Sequence, residues 1–221
     1  MLLEREILMK KTVMCFLIVI LALLSSVTAS ETSLQIEGST TVGPIGDAFA
    51  GVFRSKYPDL DITVKKTGSG DGAAALVDNR CDIAMMSRFM KAKEYKKAVT
   101  NGVFPVAHVV AMDGVCPIVH PSNPVKELST VQIRKIYKGL ITNWKELGGP
   151  DMQIVVISRD TSSGTYETFH KLVMKKEKMG SAVEYVNSNP QAHARVKTTM
   201  GAIAYVGVGF LDSSVKSITV D

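Results

Sequence analysis

The sequence predicts an α/β protein of two lobes, mixed sheets flanked by helices, with a ligand cleft between the lobes. Two patterns point there. From Leu34 onward, β-type runs alternate with helical ones, the arrangement that builds sheets covered by helices. No Pro/Gly/Ser-rich linker interrupts the alternation, so strands themselves are expected to cross between the lobes. A third pattern places the cleft. Three turns share one composition, small hydroxyl residues with glycine, and each follows a β-type run and precedes a helical one: Gly38-Ser39-Thr40-Thr41, Gly68-Ser69-Gly70-Asp71-Gly72 and Arg159-Asp160-Thr161-Ser162-Ser163-Gly164-Thr165.

The elements follow in order. Leu34 to Ile36 is the first strand. Pro44 to Tyr57 reads as a helix, with Pro44 in its first turn, Ile45, Phe49, Val52 and Phe53 on one face, and Pro58 as its stop. Ile62 to Val64 is a strand, Ala73 to Asn79 a short helix, Asp82 to Met86 a third strand and Lys91 to Val99 a charged surface helix. Two apolar runs follow, Val106 to Met112 and Val115 to Val119, broken by Asp113-Gly114. Ser129 with Gln132 three residues on forms a capping box. Ile133, Ile136, Tyr137 and Leu140 give that helix its buried stripe, and Gly139 its stop. Trp144 and the turn Gly148-Gly149-Pro150 precede a strand from Ile154 to Ile157. Behind the third hydroxyl-rich turn, Tyr166, Phe169, Leu172 and Val173 mark a helix. Pro190 to Thr199 is another, Ala202 to Val208 a strand, and Ser217 to Val220 a short β-type piece. The expected division is 33–112 plus 203–221 for the first lobe and 113–202 for the second.

Bulk properties remove several functions. With 46% hydrophobic and 21% charged residues the chain is globular rather than disordered. The net charge of +5 is mild, and no Lys/Arg cluster is interleaved with aromatics as a nucleic-acid groove requires. Lys175-Lys176-Glu177-Lys178 reads as a solvated helix end. His108, His120, His170 and His193 show neither HxxxH nor HExxH spacing, so no metal or other cofactor is expected. At the N-terminus, Lys10-Lys11 precedes an apolar run from Val13 to Leu24 and the small residues Val27 and Ala29. This matches a secretory signal peptide, residues 1–29, with translation starting at Met9. In the oxidising compartment that follows, Cys81 and Cys116 are either a disulfide or two buried thiols.

Each hydroxyl-rich turn also has an ordinary reading as a helix cap or loop. Their repetition is what points to an anion: a helix that starts after such a turn presents free N–H groups and a positive dipole end, and glycine lets a ligand approach the backbone. Arg159, just past a buried strand, adds a guanidinium able to grip two oxygens at once. Ser87-Arg88, after the third strand, is a fourth candidate segment. Neither G-x-S-x-G nor a nucleotide P-loop is present.

With these segments in view, the chain resembles the phosphate-binding proteins that feed ABC-type phosphate transporters, in the shorter bacterial branch of the type 2 periplasmic binding protein fold. The resemblance runs from about 34 to 212. Beyond the turns, it includes Leu128 to Ile133, Ile136-Tyr137-Lys138-Gly139, Ile141-Thr142-Asn143-Trp144, Gly148-Gly149 and the return strand Gly201 to Gly207. It implies a periplasmic, monomeric binding protein, not an enzyme, that captures inorganic phosphate and delivers it to an ABC-type permease in the inner membrane. The implied ligand set is Ser39, Thr40, Thr41, Ser69, Ser87, Arg88, Arg159, Ser163, Gly164 and Thr165, with a hinge motion closing the lobes. Some family members carry Asp where this chain has Ser87; that carboxylate accepts the proton of hydrogen phosphate and repels sulfate. Here the acceptor is expected to be another group, Asp160 or Asp71, or to be missing. The family also continues past the return strand, where this sequence ends at Asp221.

Competing readings are a receptor for sulfate, molybdate or a phosphorylated solute, and a degenerate relative serving as adhesin or regulator. A secreted hydrolase using Ser69 or Ser163 would need a nearby base, and His170 lies two helical turns beyond Ser163.

Overall fold

A computed structural model describes residues 33–221; the expected signal peptide and start site lie outside the described residues. The first sheet consists of β1 (Ser33–Gly38), β2 (Asp61–Lys66) and β3 (Ile83–Met85), all parallel, in the order β2-β1-β3. Their connections carry α1 (Gly43–Lys56) and α2 (Ser69–Val77), and α3 (Ala92–Thr100) follows β3.

The second region is larger. Five strands, β4 (Val115–Val119), β6 (Val155–Arg159), β7 (Glu184–Val186), β8 (Ala202–Gly207) and β9 (Lys216–Ser217), form a mixed sheet in the order β7-β6-β8-β4-β9. A separate pair joins β5 (Glu127–Leu128) to β10 (Thr219–Val220). The helices here are α4 (Thr130–Tyr137), α5 (Gly164–Leu172) and α6 (Asn189–Lys197). The capping box at α4 forms as expected: Ser129 Oγ accepts from Gln132 N at 3.1 Å and Gln132 Oε1 accepts from Ser129 N at 2.8 Å. Trp144 is fully buried and donates through Nε1 to Gly201 O at 2.9 Å, tying that turn to the start of β8.

Three sequence expectations need correction. Residues 203–221 pair inside the second sheet region, not with 33–112. All six residues of β8 are buried, and a strand apolar on both faces gains most at the centre of the wider sheet, between β6 and β4. The apolar run Val106 to Met112 forms no strand, and Val106 is 75% exposed and Met112 91%. An apolar run becomes a strand only where a neighbouring edge takes its N–H and C=O groups. The apolar face expected on α1 is turned outward, with Phe49 at 55% and Val52 at 67% exposure. The helix instead packs through Gly43, Gly46 and Ala50. Leu140 is exposed because α4 ends at Tyr137, before its turn comes round.

Cys81 and Cys116 are separate thiols. Burial, with the charges of Glu37 and Asp82 adding to it, pushes the Cys81 thiol up to about 11. Among the described residues no helix is long and apolar enough to cross a membrane, and no His/Cys/Asp/Glu group could hold a metal ion.

Candidate functional site

The site is built where strands of both sheets end. β1 stops at Gly38, whose φ of +139° and close approach to Met85 leave no room for a Cβ. The chain then turns through Ser39, whose N–H donates to Met85 O at 2.8 Å and whose Oγ accepts from Thr41 N at 3.1 Å. Ser39 thus shapes the turn, and the two threonines beside it face the other sheet. Thr41 Oγ1 lies 2.9 Å from Thr165 Oγ1, at the start of α5. Asn189, at the start of α6 and fully buried, donates through Nδ2 to Thr41 Oγ1 at 2.8 Å and to Thr40 Oγ1 at 3.2 Å.

The second turn reaches the third directly. Gly70 N donates to Ser162 O at 2.8 Å. Ser69, completely buried as the first residue of α2, accepts from Ser87 N at 3.0 Å and lies 3.2 Å from Ser87 Oγ. A Cβ on Gly164 would sit 2.5 Å from both of those hydroxyl oxygens. Glycine is required there because three chain segments crowd one point.

From the second sheet, β6 delivers Arg159 at its last residue. Tyr205, stacked on Phe169 at 3.9 Å, holds it in place: Tyr205 Oη accepts from Arg159 N at 3.2 Å and pairs with Ser158 Oγ at 2.8 Å. The Arg159 side chain is 1% exposed, and Nη2 donates to Asn187 O at 2.7 Å. Nε and Nη1 are buried and have no protein partner. Burial lowers this guanidinium's pKa against the opposing charge of Asp160, yet an arginine stays ionised in a protein. A buried cation with two unshared donors calls for an anion. Asp160 Oδ1 accepts from Ser162 N at 2.7 Å and Ser162 Oγ at 2.6 Å, while its Oδ2 is buried without a partner. Ser163 Oγ caps α5 by accepting from Tyr166 N at 3.1 Å, which leaves its hydroxyl proton and the first amides of α5, Gly164 and Thr165, available as donors.

The chain matches the family model described as the PBP superfamily domain over residues 25–220. The chain belongs to the PBP superfamily. A PBP of Clostridium perfringens, described as a phosphate ABC transporter substrate-binding protein and solved with bound phosphate, is similar at 38% identity and a TM-score of 0.78. The match covers 86% of this chain and 76% of that one. An ABC-type phosphate transport receptor from Vibrio cholerae is similar at 33% identity and a TM-score of 0.63, covering 85% and 76% of the two chains. The phosphate-binding protein PstS of Bacillus subtilis is 34% identical over 86% of this chain, and this chain spans 62% of that protein's length.

Against this PBP architecture the expected ligand set sorts into two groups. Thr40 and Thr41 meet Thr165 and Asn189, Ser69 and Ser87 crowd Gly164, Ser163 caps α5, Ser39 shapes the first turn and Arg159 is held at the end of β6. Arg88 stands apart. Its Nε donates to Glu167 Oε1 at 2.9 Å, and Nη1 and Nη2 each donate to Glu94 at 2.9 Å. Its charge is therefore already matched by carboxylates and it is not one of the converging donors. Asp71 is exposed. Sequence reasoning missed Asn189: its only signal was a place beside Pro190 at a helix start, which reads as a boundary and says nothing about distant threonines. Ser69 Oγ pairs with serine, Ser163 Oγ with a backbone amide, and His170 Nε2 with Glu177 O at 3.0 Å, so neither serine has an imidazole partner.

Proposed function

We propose that this chain is an extracytoplasmic receptor that encloses inorganic phosphate between its two sheet regions and hands it, as a monomer, to an ABC-type permease. The observation that carries the reading is Arg159: a buried guanidinium with two unshared donors, at the strand end where hydroxyl-rich turns from both sheets meet. Hydrogen bonds to charged groups contribute roughly 1.5–3 kcal/mol each, and a micromolar Kd needs about 8 kcal/mol. Some eight donors reach that level even after ordering and desolvation are subtracted. Asp160 Oδ2 is the one buried carboxylate oxygen without a partner among the described residues. It is assigned to accept the proton of hydrogen phosphate, the role Asp plays at the Ser87 position in some relatives. A sulfate ion has no such proton, and the carboxylate repels it.

Calorimetric titration with phosphate, sulfate and molybdate tests the reading. Phosphate is expected to bind, sulfate at least about tenfold more weakly, and Arg159→Ala to lose about a hundredfold or more in affinity. Undiminished phosphate binding by that variant removes the assigned site. No heat with phosphate removes the function, and tighter binding of sulfate or molybdate replaces the ligand.

A further inference from the structure

Outside the converging turns, a second set of polar groups joins the same two regions. Arg88 follows β3, Lys91 precedes α3 and Glu94 lies in the first turn of α3, all on the first-sheet side; Glu167 lies in the first turn of α5, on the second. Arg88 is held by Glu94 through two hydrogen bonds of 2.9 Å and donates to Phe89 O at 3.0 Å. With its orientation so fixed, its Nε points across to Glu167 Oε1 at 2.9 Å, and Lys91 Nζ approaches the same oxygen at 2.7 Å. Glu94 also accepts from Lys91 N at 2.8 Å, which locks the start of α3 to the same network. Two cations and two carboxylates balance, and the Arg88 side chain is only 9% exposed and Glu167 23%.

We infer that Arg88, Lys91, Glu94 and Glu167 form an electrostatic clasp that holds the two regions closed and sets the lifetime of the bound state, acting as positioning residues rather than ligand contacts. The inference rests on the phosphate-receptor reading above for what is bound, but not for the closure itself. Sequence adjacency gives the clasp its leverage. Arg88 directly follows Ser87, and Glu167 lies two residues after Thr165. Closing the clasp therefore brings the Ser69–Ser87 pair against Gly164. Opening for release must separate Glu167 from both cations in a partly desolvated setting, where a charge pair acts mainly on the dissociation rate. An isolated surface pair would contribute little; a bidentate anchor that pre-orients the arginine removes much of the ordering loss that makes such pairs weak.

The test is stopped-flow measurement of phosphate association and release, with small-angle scattering on the ligand-free proteins. Glu167→Gln is expected to raise koff about tenfold while changing kon less than about threefold, and to increase the ligand-free radius of gyration. Lys91→Met, at a 41% exposed side chain where folding is not at stake, is expected to shift koff in the same direction by less. The double variant should then fall short of the product of the two single effects. Unchanged koff in Glu167→Gln, with phosphate bound normally, overturns the clasp and leaves the receptor reading intact. If wild-type protein binds no phosphate, the receptor reading falls and scattering alone decides: a larger radius in Glu167→Gln supports the clasp, an equal one overturns it.

Discussion

The two sheet regions contribute comparable numbers of groups to the site but are built very differently. The first has three strands, and its buried apolar cluster is Ile36, Ala50, Ile62 and Met85. The second has a five-stranded sheet with a cluster on each side, one including Trp144, Tyr137, Phe169 and Tyr205, the other Ile118, Ile157, Val196 and Val206. Their site residues differ in the same way. Arg159 and Asn189 are held by buried side chains and backbone of the second region, whereas Thr40, Thr41, Ser69 and Ser87 lie on turns of the first, and the two threonines take their partners from across the boundary. For the proposed receptor, closure on an anion gains from this asymmetry. The charged anchor sits in the well-packed part, and the neutral donors ride on the part with less to lose by moving.

Paired substitutions give the sharpest way to break the comparison. Trp144→Ala in the second region is expected to cost about 3–5 kcal/mol, because the side chain is fully buried and its Nε1 bond to Gly201 O is lost with it. Phe49→Ser in α1 is expected to change stability by less than about 0.5 kcal/mol, since that ring is 55% exposed. Chemical denaturation of both variants checks this; a Phe49→Ser cost approaching that of Trp144→Ala would mean the first region is far better covered than described. Native-state hydrogen exchange comes next in size. Amides of β1 are expected to exchange at least about tenfold faster than those of β8, and equal protection would dissolve the distinction between the regions.

The smallest expected effect concerns acid. Hydrogen bonds from Ser214, helped by His193, hold the Asp212 carboxyl down to about 2 from the usual 3.8. A carboxyl depressed in the folded state stabilises above its unfolded pKa and loses that contribution as pH falls through the folded value. Asp212 therefore contributes fully above about pH 4, and the contribution fades on the way to pH 2. Melting curves of Asp212→Asn should show a shallower loss of stability across that window than wild type. Parallel acid limbs would assign the acid sensitivity elsewhere, with Glu94, which burial pushes up but Arg88 and Lys91 hold low on balance, as the first-region alternative.

Much of this was legible along the chain, and the misses have physical causes. The capping box at Ser129 and Gln132 could be read because both partners lie within one helical turn. The three turns could be read because their hydroxyl and glycine content is itself the local chemistry. Periodicity placed Phe49, Val52 and Phe53 on one face of α1, but an apolar face does not say whether another element covers it. Arg88 looked like a ligand by its position after a strand; only Glu94 and Glu167, one six residues on and one 79 residues on, reveal how its charge is matched.

What the sequence by itself determined is the set of strands and helices that build the site and the chemistry of its turns, because backbone preference and hydrogen-bonding capacity belong to each residue and its near neighbours. What only the tertiary structure decided is which of these pieces meet: β8 in the second sheet, Asn189 against Thr40 and Thr41, Gly164 against Ser69 and Ser87. Those contacts follow from burial and pairing between segments far apart in the chain, whose relative free energies no local pattern encodes.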